Sequence, residues 1–597
     1  MKRFASASLA ALFALLFAGP LALPAQNILD PAWESVAQEL RPFVESAMKD
    51  SLVTGLSIAL VDGDKTVWTE GFGNADAAAG KKADADTMFE IGSISKTFTG
   101  LMVMRLAEQG KLDIDRPVTD YIPGFRLLPP ARDFPRNDNP ITVRHMMTHF
   151  SGIPGDLLHG AFATEQNLGF NDKLLAWLSE DSATYPPGYR WSYSNTAVSL
   201  LEKVIESASG KSFTTYAQEF LDSLGMAPAS YFKTDPALVS RLSKAYDDGE
   251  ELPTTYINVP ASGSIVASAN HMSRYLRMLI GEGSLEGRSF LGKESFEKML
   301  VPQYPGNPFG MGFKMGLSFI LSDADLSYAG SMFWHNGATL AFRSHLEVLR
   351  DQDLGVFVVA NSTSGGGAAE AIAKAVLVAA LKHGRGLEKP KVQEPKALAR
   401  IALPEALLKN FSGIYASDDR SRYESFTPSQ GGLEWSTGPG EGGALKKNGL
   451  LSLYSDGFFR LAEDSMIGFE FKEAGGRFVF VVHAGAATAM LGERYDPAPI
   501  SPAWKARLGT WAAANPDPTD MGVAMEEPVE CSLSESNGLL IFTNAEYVFV
   551  LEPISDSLAA VRGLGRFGGT AMRISQGKDG GEEMRFMLIA YRKAGKE

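Results

Sequence analysis

The spacing of apolar and polar positions changes several times along this chain, and each change predicts a different element. DPAWESVAQELRPFVESAMKD sets Trp33, Val36, Leu40, Phe43 and Val44 at helical spacing on one face. LSIALVDGDKTVWTEGFG is two apolar runs around a DGDK turn and predicts a β-hairpin. TFTGLMVMRLAEQG is a helix apolar on nearly all sides and stopped at Gly110, the pattern of a buried helix. The stretch to about residue 285 is mostly helical, and Met272, Tyr275, Leu276 and Leu279 form its clearest apolar stripe. From Leu317 strands return, first in GLSFIL and then in FRSHLEVLRDQDLGVFVVAN, which turns at Asp351-Gln352-Asp353. The Ala-rich helix AAEAIAKAVLVAALKHG follows. An early hairpin, a helical middle and late strands predict one antiparallel sheet built from distant parts of the chain, an α+β arrangement over residues 26–385.

The pattern then breaks. Residues 386–403 are charged, contain prolines and lack an apolar period, which predicts a linker. Beyond it lie glycines and short strand-like runs that repeat: FSGIYAS at Phe411 matches RLGTWAA at Arg507, and GLLSLYSDGFFRL at Gly449 matches GLLIFTNAEYVFVL at Gly538. Two small antiparallel barrel-like domains are expected, over 404–498 and 499–597.

At the other end, Lys2 and Arg3 precede the apolar run LAALFALLFAGPLAL, which ends in small residues. This predicts a secretory signal peptide over 1–25, cut after Ala25, and hence an exported, periplasmic or secreted protein that meets a membrane only through that segment. No cysteine follows the run, which excludes a lipoprotein anchor; Cys531 is the single cysteine, so no intramolecular disulfide forms. The 597 residues are too many for one core. A net charge of -14 argues against a nucleic-acid surface. The sequence does not address oligomeric state.

The candidate chemistry begins in FEIGSISKTFTG. A phosphate loop needs glycine directly before its lysine, and Ser95 stands there instead. A serine opening an apolar helix is often only a cap. Helical geometry separates the two serines: Ser93 and Lys96, three apart, share a face, whereas Ser95 and Lys96 diverge. A hydroxyl attacks a carbonyl only beside a base, and burial lowers a lysine's pKa enough for it to be one. Further on, YPPGYRWSYSNTAVSLL puts Tyr193 and Asn195 two apart before an apolar helix, and SMFWHNGATLAFRSH puts His335, Asn336 and Gly337 at the start of a strand. His145 and His149, four apart, have the spacing of a metal pair, but no glutamate follows the first. No cofactor or metal motif emerges.

The ordered set Ser-x-x-Lys, Tyr-x-Asn and His-x-Gly resembles the serine penicillin-recognising hydrolases: class C β-lactamases, D,D-peptidases, D-aminopeptidases and related esterases. TVRHMMTHFSGIPG and PASGSIVASANHMSRYL extend the resemblance over about residues 35–383. It implies a β-lactamase/transpeptidase-like domain, an antiparallel sheet flanked by helices, with Ser93 as acylated nucleophile. It implies that Lys96 and Tyr193 share general-base and proton-shuttle work, and that the backbone N–H groups of Ser93 and Ala338 form the oxyanion hole. Asn195 is expected to contact substrate or Lys96, with Asn336 and Gly337 also at the substrate. His335 holds the third motif's basic position, usually lysine in β-lactamases, so a neutral or half-charged imidazole is expected and β-lactamase activity ranks low. The substrate is expected to be a small peptide, amide or ester. The alternatives are a non-catalytic peptidoglycan or β-lactam binding or sensor protein, and a true β-lactamase.

Overall fold

The structure is a computed structural model that describes residues 27–594 apart from 135–138, 157–159, 323–324, 392–397, 418–422, 439–443, 462–465, 486, 515–529, 545–546 and 578–579. The expected signal segment, 1–25, lies outside the described residues.

One antiparallel sheet organises the first part of the chain. Its strands are β1 (Ile28–Leu29), β2 (Gly55–Asp62), β3 (Lys65–Asp76), β4 (Met332–Ala338), β5 (Arg343–Leu349) and β6 (Leu354–Ala360), ordered β1-β3-β2-β6-β5-β4, with the short strand Lys81–Lys82 also pairing with β3. The early hairpin and the late strands therefore meet at β2–β6, where Phe357 opposes Ala59 and Val359 opposes Ser57. Alternation along β2 fixes the two faces. Leu56, Ile58 and Leu60 pack with helices α1 (Glu34–Asp50) and α5 (Gly366–Arg385), whereas Ala59 and Val61 join the larger core on the opposite face. That core includes the buried helix α2 (Ser95–Glu108), the amphipathic α3 (Asn195–Ser209) and α4 (Ala269–Ile280). Phe43, expected on the buried face of α1, is 43% exposed. GLSFIL forms no strand. Ile320 makes only isolated bridges, to Met315 and Trp334, and Ser318 adopts φ 68, which breaks an extended run.

Two closed antiparallel barrels follow. The first comprises β7 (Gly413–Ser417), β8 (Tyr423–Ser429), β9 (Gly432–Gly438), β10 (Lys446–Tyr454), β11 (Phe459–Leu461), β12 (Ile467–Ala474), β13 (Arg477–Ala484) and β14 (Ala487–Tyr495). The second comprises β15 (Gly509–Ala513), β16 (Glu530–Ser536), β17 (Leu539–Asn544), β18 (Tyr547–Ser555), β19 (Leu558–Val561), β20 (Ala571–Gln576), β21 (Glu582–Phe586) and β22 (Ile589–Lys593). Arg400–Ile401, inside the expected linker, already pairs with β10, so the first barrel's sheet recruits the end of that segment.

The repeat is visible atom by atom. Gly413 and Gly509 open the first strands at φ 126 and 125, and two residues later Tyr415 and Trp511 each bond the carbonyl four residues back, on Phe411 and Arg507. The second pairing expected from sequence is displaced by one strand: GLLSLYS is the fourth strand, GLLIFTN the third. The true counterpart of Asn537-Gly538 is Gln430-Gly431, with both residues of each pair at positive φ in the turn before the third strand. Similar apolar runs on adjacent strands misled the comparison; the turn dihedrals settle it.

Candidate active site

Ser93 sits in a 3-10 turn, Gly92–Ile94, that runs into α2. Gly92 has φ +55, and a Cβ there would lie 2.6 Å from the Ala338 nitrogen, so β4 passes directly against the serine turn. Gly337 serves the same approach: a Cβ on it would meet the Ile91 carbonyl oxygen at 2.0 Å. Its neighbours Asn336 and Ala338 line the cavity. Ser95, set aside by the spacing argument, is a brace. Its hydroxyl donates to the Gly92 carbonyl at 2.7 Å and accepts from Ile265 N–H at 3.1 Å, holding the turn in place.

Lys96 is 1% exposed. Its Nζ stands 2.9 Å from Ser93 Oγ and donates to the Ser262 carbonyl at 2.6 Å. Among the described residues no carboxylate forms an ion pair with it. Burial, aided by the charge of Arg566, pushes its pKa well below the ordinary lysine value. Burial also raises the Tyr193 phenol to about 12, and the ring of Tyr193 lies 5.0 Å from Lys96 Nζ. A neutral or half-charged His335 was expected. Burial, and then the Lys96 charge, push it down to about 3, so the imidazole is neutral, and its Nδ1 lies 2.5 Å from the Asn336 carbonyl oxygen, which only accepts.

Tyr193 and Asn195 flank Ser194, whose hydroxyl caps α3 by accepting from Ala197 N–H. His149 fixes that junction from below: its Nδ1 accepts from Ser194 N–H at 3.1 Å and its ring lies 4.3 Å from that of Tyr193. His145 instead caps its own short helix through Thr142, so the two histidines share no ligand position. Asn195 does not reach Lys96; its Nδ2 donates to Asp156 Oδ1 at 2.7 Å.

Ser93, Tyr193, Asn195, His335, Asn336 and Ala338 line one cavity of about 540 Å³. Its walls include Trp191, Phe313 and Trp334, and sequence reasoning missed three further contributors: Asp156, Tyr547 and Arg566. Arg566 comes from the loop between β19 and β20 and pairs with Asp156 while lying 5.2 Å from the Tyr193 ring. The loop is anchored by Arg190, which donates to the carbonyls of Gly563, Gly565 and Gly568 at 3.1, 2.8 and 3.3 Å. Ser192 Oγ adds a bond to the Gly565 carbonyl at 2.9 Å. A run of glycine and arginine more than two hundred positions from the third motif carries no sequence signal for such a contact.

Residues 40–381 match the Beta-lactamase family. Protein flp of Staphylococcus aureus (strain COL) is 29% identical over 199 residues, 33% of this chain and 39% of that protein. Esterase EstB of Burkholderia gladioli is 29% identical over 241 residues, 38% of this chain and 59% of its own length. The matched stretch thus spans about two-fifths of flp and three-fifths of EstB. The crystal structure of SurE covers 77% of this chain and 100% of its own at 23% identity, with a TM-score of 0.55, a likeness of fold.

Proposed function

The chain belongs to the Beta-lactamase family, and from that premise we propose that it is a serine hydrolase that cleaves a small peptide, amide or ester through an acyl-enzyme on Ser93. The observation that carries the reading is Lys96: a buried amine 2.9 Å from a hydroxyl, with its pKa depressed by burial. Neutral Lys96 takes the proton as Ser93 Oγ bonds to the substrate carbonyl carbon. The N–H groups of Ser93 and Ala338 receive the oxyanion on that carbon. Tyr193, protonated because its pKa is near 12, delivers a proton to the leaving group and recovers one from Lys96. Water then displaces Ser93 by the same path in reverse.

Ester cleavage draws support from the name of Esterase EstB. Neutral His335 offers no permanent charge to a substrate carboxylate, which keeps β-lactam turnover low in rank. A basic pair followed by an apolar run supports export with cleavage after Ala25; a mature N-terminus at Gln26 is the corresponding observation.

The test is a fluorophosphonate, with the adduct located by mass spectrometry. An adduct on the Ser93 peptide, lost in Ser93→Ala, is expected; no adduct there, or equal labelling of Ser93→Ala, sinks the reading. Turnover of p-nitrophenyl esters, D-alanyl amides and nitrocefin then ranks the substrate classes.

A further inference from the structure

We propose that Arg566, carried into the cavity by the loop between β19 and β20, is a specificity-determining residue that receives a carboxylate or equivalent anionic group of the substrate. The inference rests on the reading of Ser93 as nucleophile and adds a substrate class to it.

Charge at the cavity points this way. Of the described residues lining it, Asp156 and Arg566 alone carry a formal charge at neutral pH, since His335 is neutral. The two are not equally presented. The Asp156 side chain is 4% exposed and sits beneath the pair, where Asn195 also donates to it, whereas the Arg566 side chain is 30% exposed. A ligand entering the cavity therefore meets the guanidinium before the carboxylate paired with it. A planar guanidinium held by a buried partner is suited to paired hydrogen bonds with a carboxylate.

Position agrees with charge. The Tyr193 ring is 5.2 Å from the guanidinium carbon and 5.0 Å from Lys96 Nζ, and Lys96 touches Ser93 Oγ. Arg566 and the Ser93–Lys96 pair thus stand against the same tyrosine ring, and Arg566, Tyr193 and Ser93 line the same cavity. The third motif, which supplies a cation where it carries lysine, supplies none here. The loop that brings Arg566 is also held rigidly. Arg190 and Ser192 bind its carbonyls, and Leu564 N–H bonds the Ser417 carbonyl of the first barrel at 3.2 Å. A recognition group on such a support keeps its geometry.

The experiment uses the full chain and two matched pairs of aryl esters. One pair places a carboxylate on the acyl side and the other on the leaving group, each compared with its methyl ester. In the wild type the kcat/KM ratio of acid to methyl ester favours the acid in one pair. Arg566→Gln lowers that ratio by ~10–100-fold, the range of a hydrogen bond to a charged group, and Arg566→Lys lowers it less. Fluorophosphonate labelling of Ser93 runs alongside in every variant. A ratio that stays within about twofold of wild type in both pairs, with Ser93 still labelled, overturns the role of Arg566 alone. A wild type with no preference for either acid overturns it without any variant. Failure to label wild-type Ser93 overturns the nucleophile itself.

Discussion

The contact between the serine turn and β4 gives a test of the oxyanion geometry that leaves every reacting side chain in place. In Gly92→Ala the added Cβ would stand 2.6 Å from the Ala338 nitrogen and 2.9 Å from its carbonyl carbon and oxygen. Ordinary contact begins near 3.4 Å, so the two backbones must part by about 0.8 Å at the nitrogen. Neither side is a flexible chain end; both are backbone, one leading into α2 and the other paired with β5. The two N–H groups assigned to the oxyanion sit on these two backbones, and the displacement exceeds the ~0.5 Å within which a site stays productive.

Because that contact strengthens in the transition state, the loss appears in kcat. We expect a fall of ~10²-fold on a p-nitrophenyl ester, within the range for losing one oxyanion donor. Backbone strain contributes separately, since alanine at φ +55 costs ~1–2 kcal/mol. Gly80→Ala isolates that part: Gly80 has φ +65 and nothing within 4 Å of its would-be Cβ. It should lower the melting temperature and leave kcat near wild type. Steady-state kinetics, a thermal melt and labelling of Ser93 decide the matter. A Gly92→Ala enzyme with kcat within threefold of wild type, or an equal loss in Gly80→Ala, would refute the assignment.

Two further outcomes follow from the charges. Hydrolysis of a neutral ester should fall toward acid as Lys96 gains its proton, and Arg566→Gln should move that limb to higher pH, because it removes a cation that holds the lysine's pKa down; a limb that moves the other way in a pH–rate profile contradicts the role of Lys96 as base. Glu493 is buried and accepts from Arg132 at 3.2 Å, Arg477 at 2.5 Å and Arg562 at 3.2 Å, tying the catalytic domain to both barrels. Burial raises its pKa, but the three arginines more than offset this and bring it to about 2. A depressed carboxylate gives stability that is full above its unfolded value of 4.5 and lost as pH falls toward 2. Glu493→Gln should therefore cost ~3–5 kcal/mol in urea unfolding at pH 7, with the gap to wild type shrinking below pH 4.5; a gap constant with pH would be incompatible with this account.

Local geometry made part of this site legible and hid the rest. The three-residue spacing of Ser93 and Lys96, carried from the 3-10 turn into the buried apolar α2, places Nζ at Oγ. Period-two runs sufficed for β2, β3, β5 and β6. GLSFIL failed because an apolar run says nothing about whether a partner strand is present, and its neighbours supplied only single bridges. Gly337 was legible as special but not as to why: an absent side chain fits substrate contact and backbone contact equally, and the backbone contact is seen only in the fold, where a Cβ would stand 2.0 Å from the Ile91 carbonyl oxygen. Asn195 was placed at the cavity, while its partner Asp156 follows no motif spacing. Arg566 is set by how a barrel docks, and docking depends on surfaces that no local period records.

The anchored loop also bears on the order in which the molecule is made. A chain grows from its N-terminus, so the serine turn, the Tyr193 junction and β4 all exist, and can pack on one another, while the second barrel is still unsynthesised. At that stage Arg190 has none of the loop carbonyls to receive its N–H groups, and the cavity lies open on the side that Arg566 and Tyr547 later close. The nascent chain is in this sense an unfinished vessel: the residues of its last wall are synthesised after all the others that line the cavity. A polypeptide interrupted before the second barrel would carry the sequence of the Ser93–Lys96 pair without Arg566 and Tyr547, the two residues that the barrel adds to the cavity.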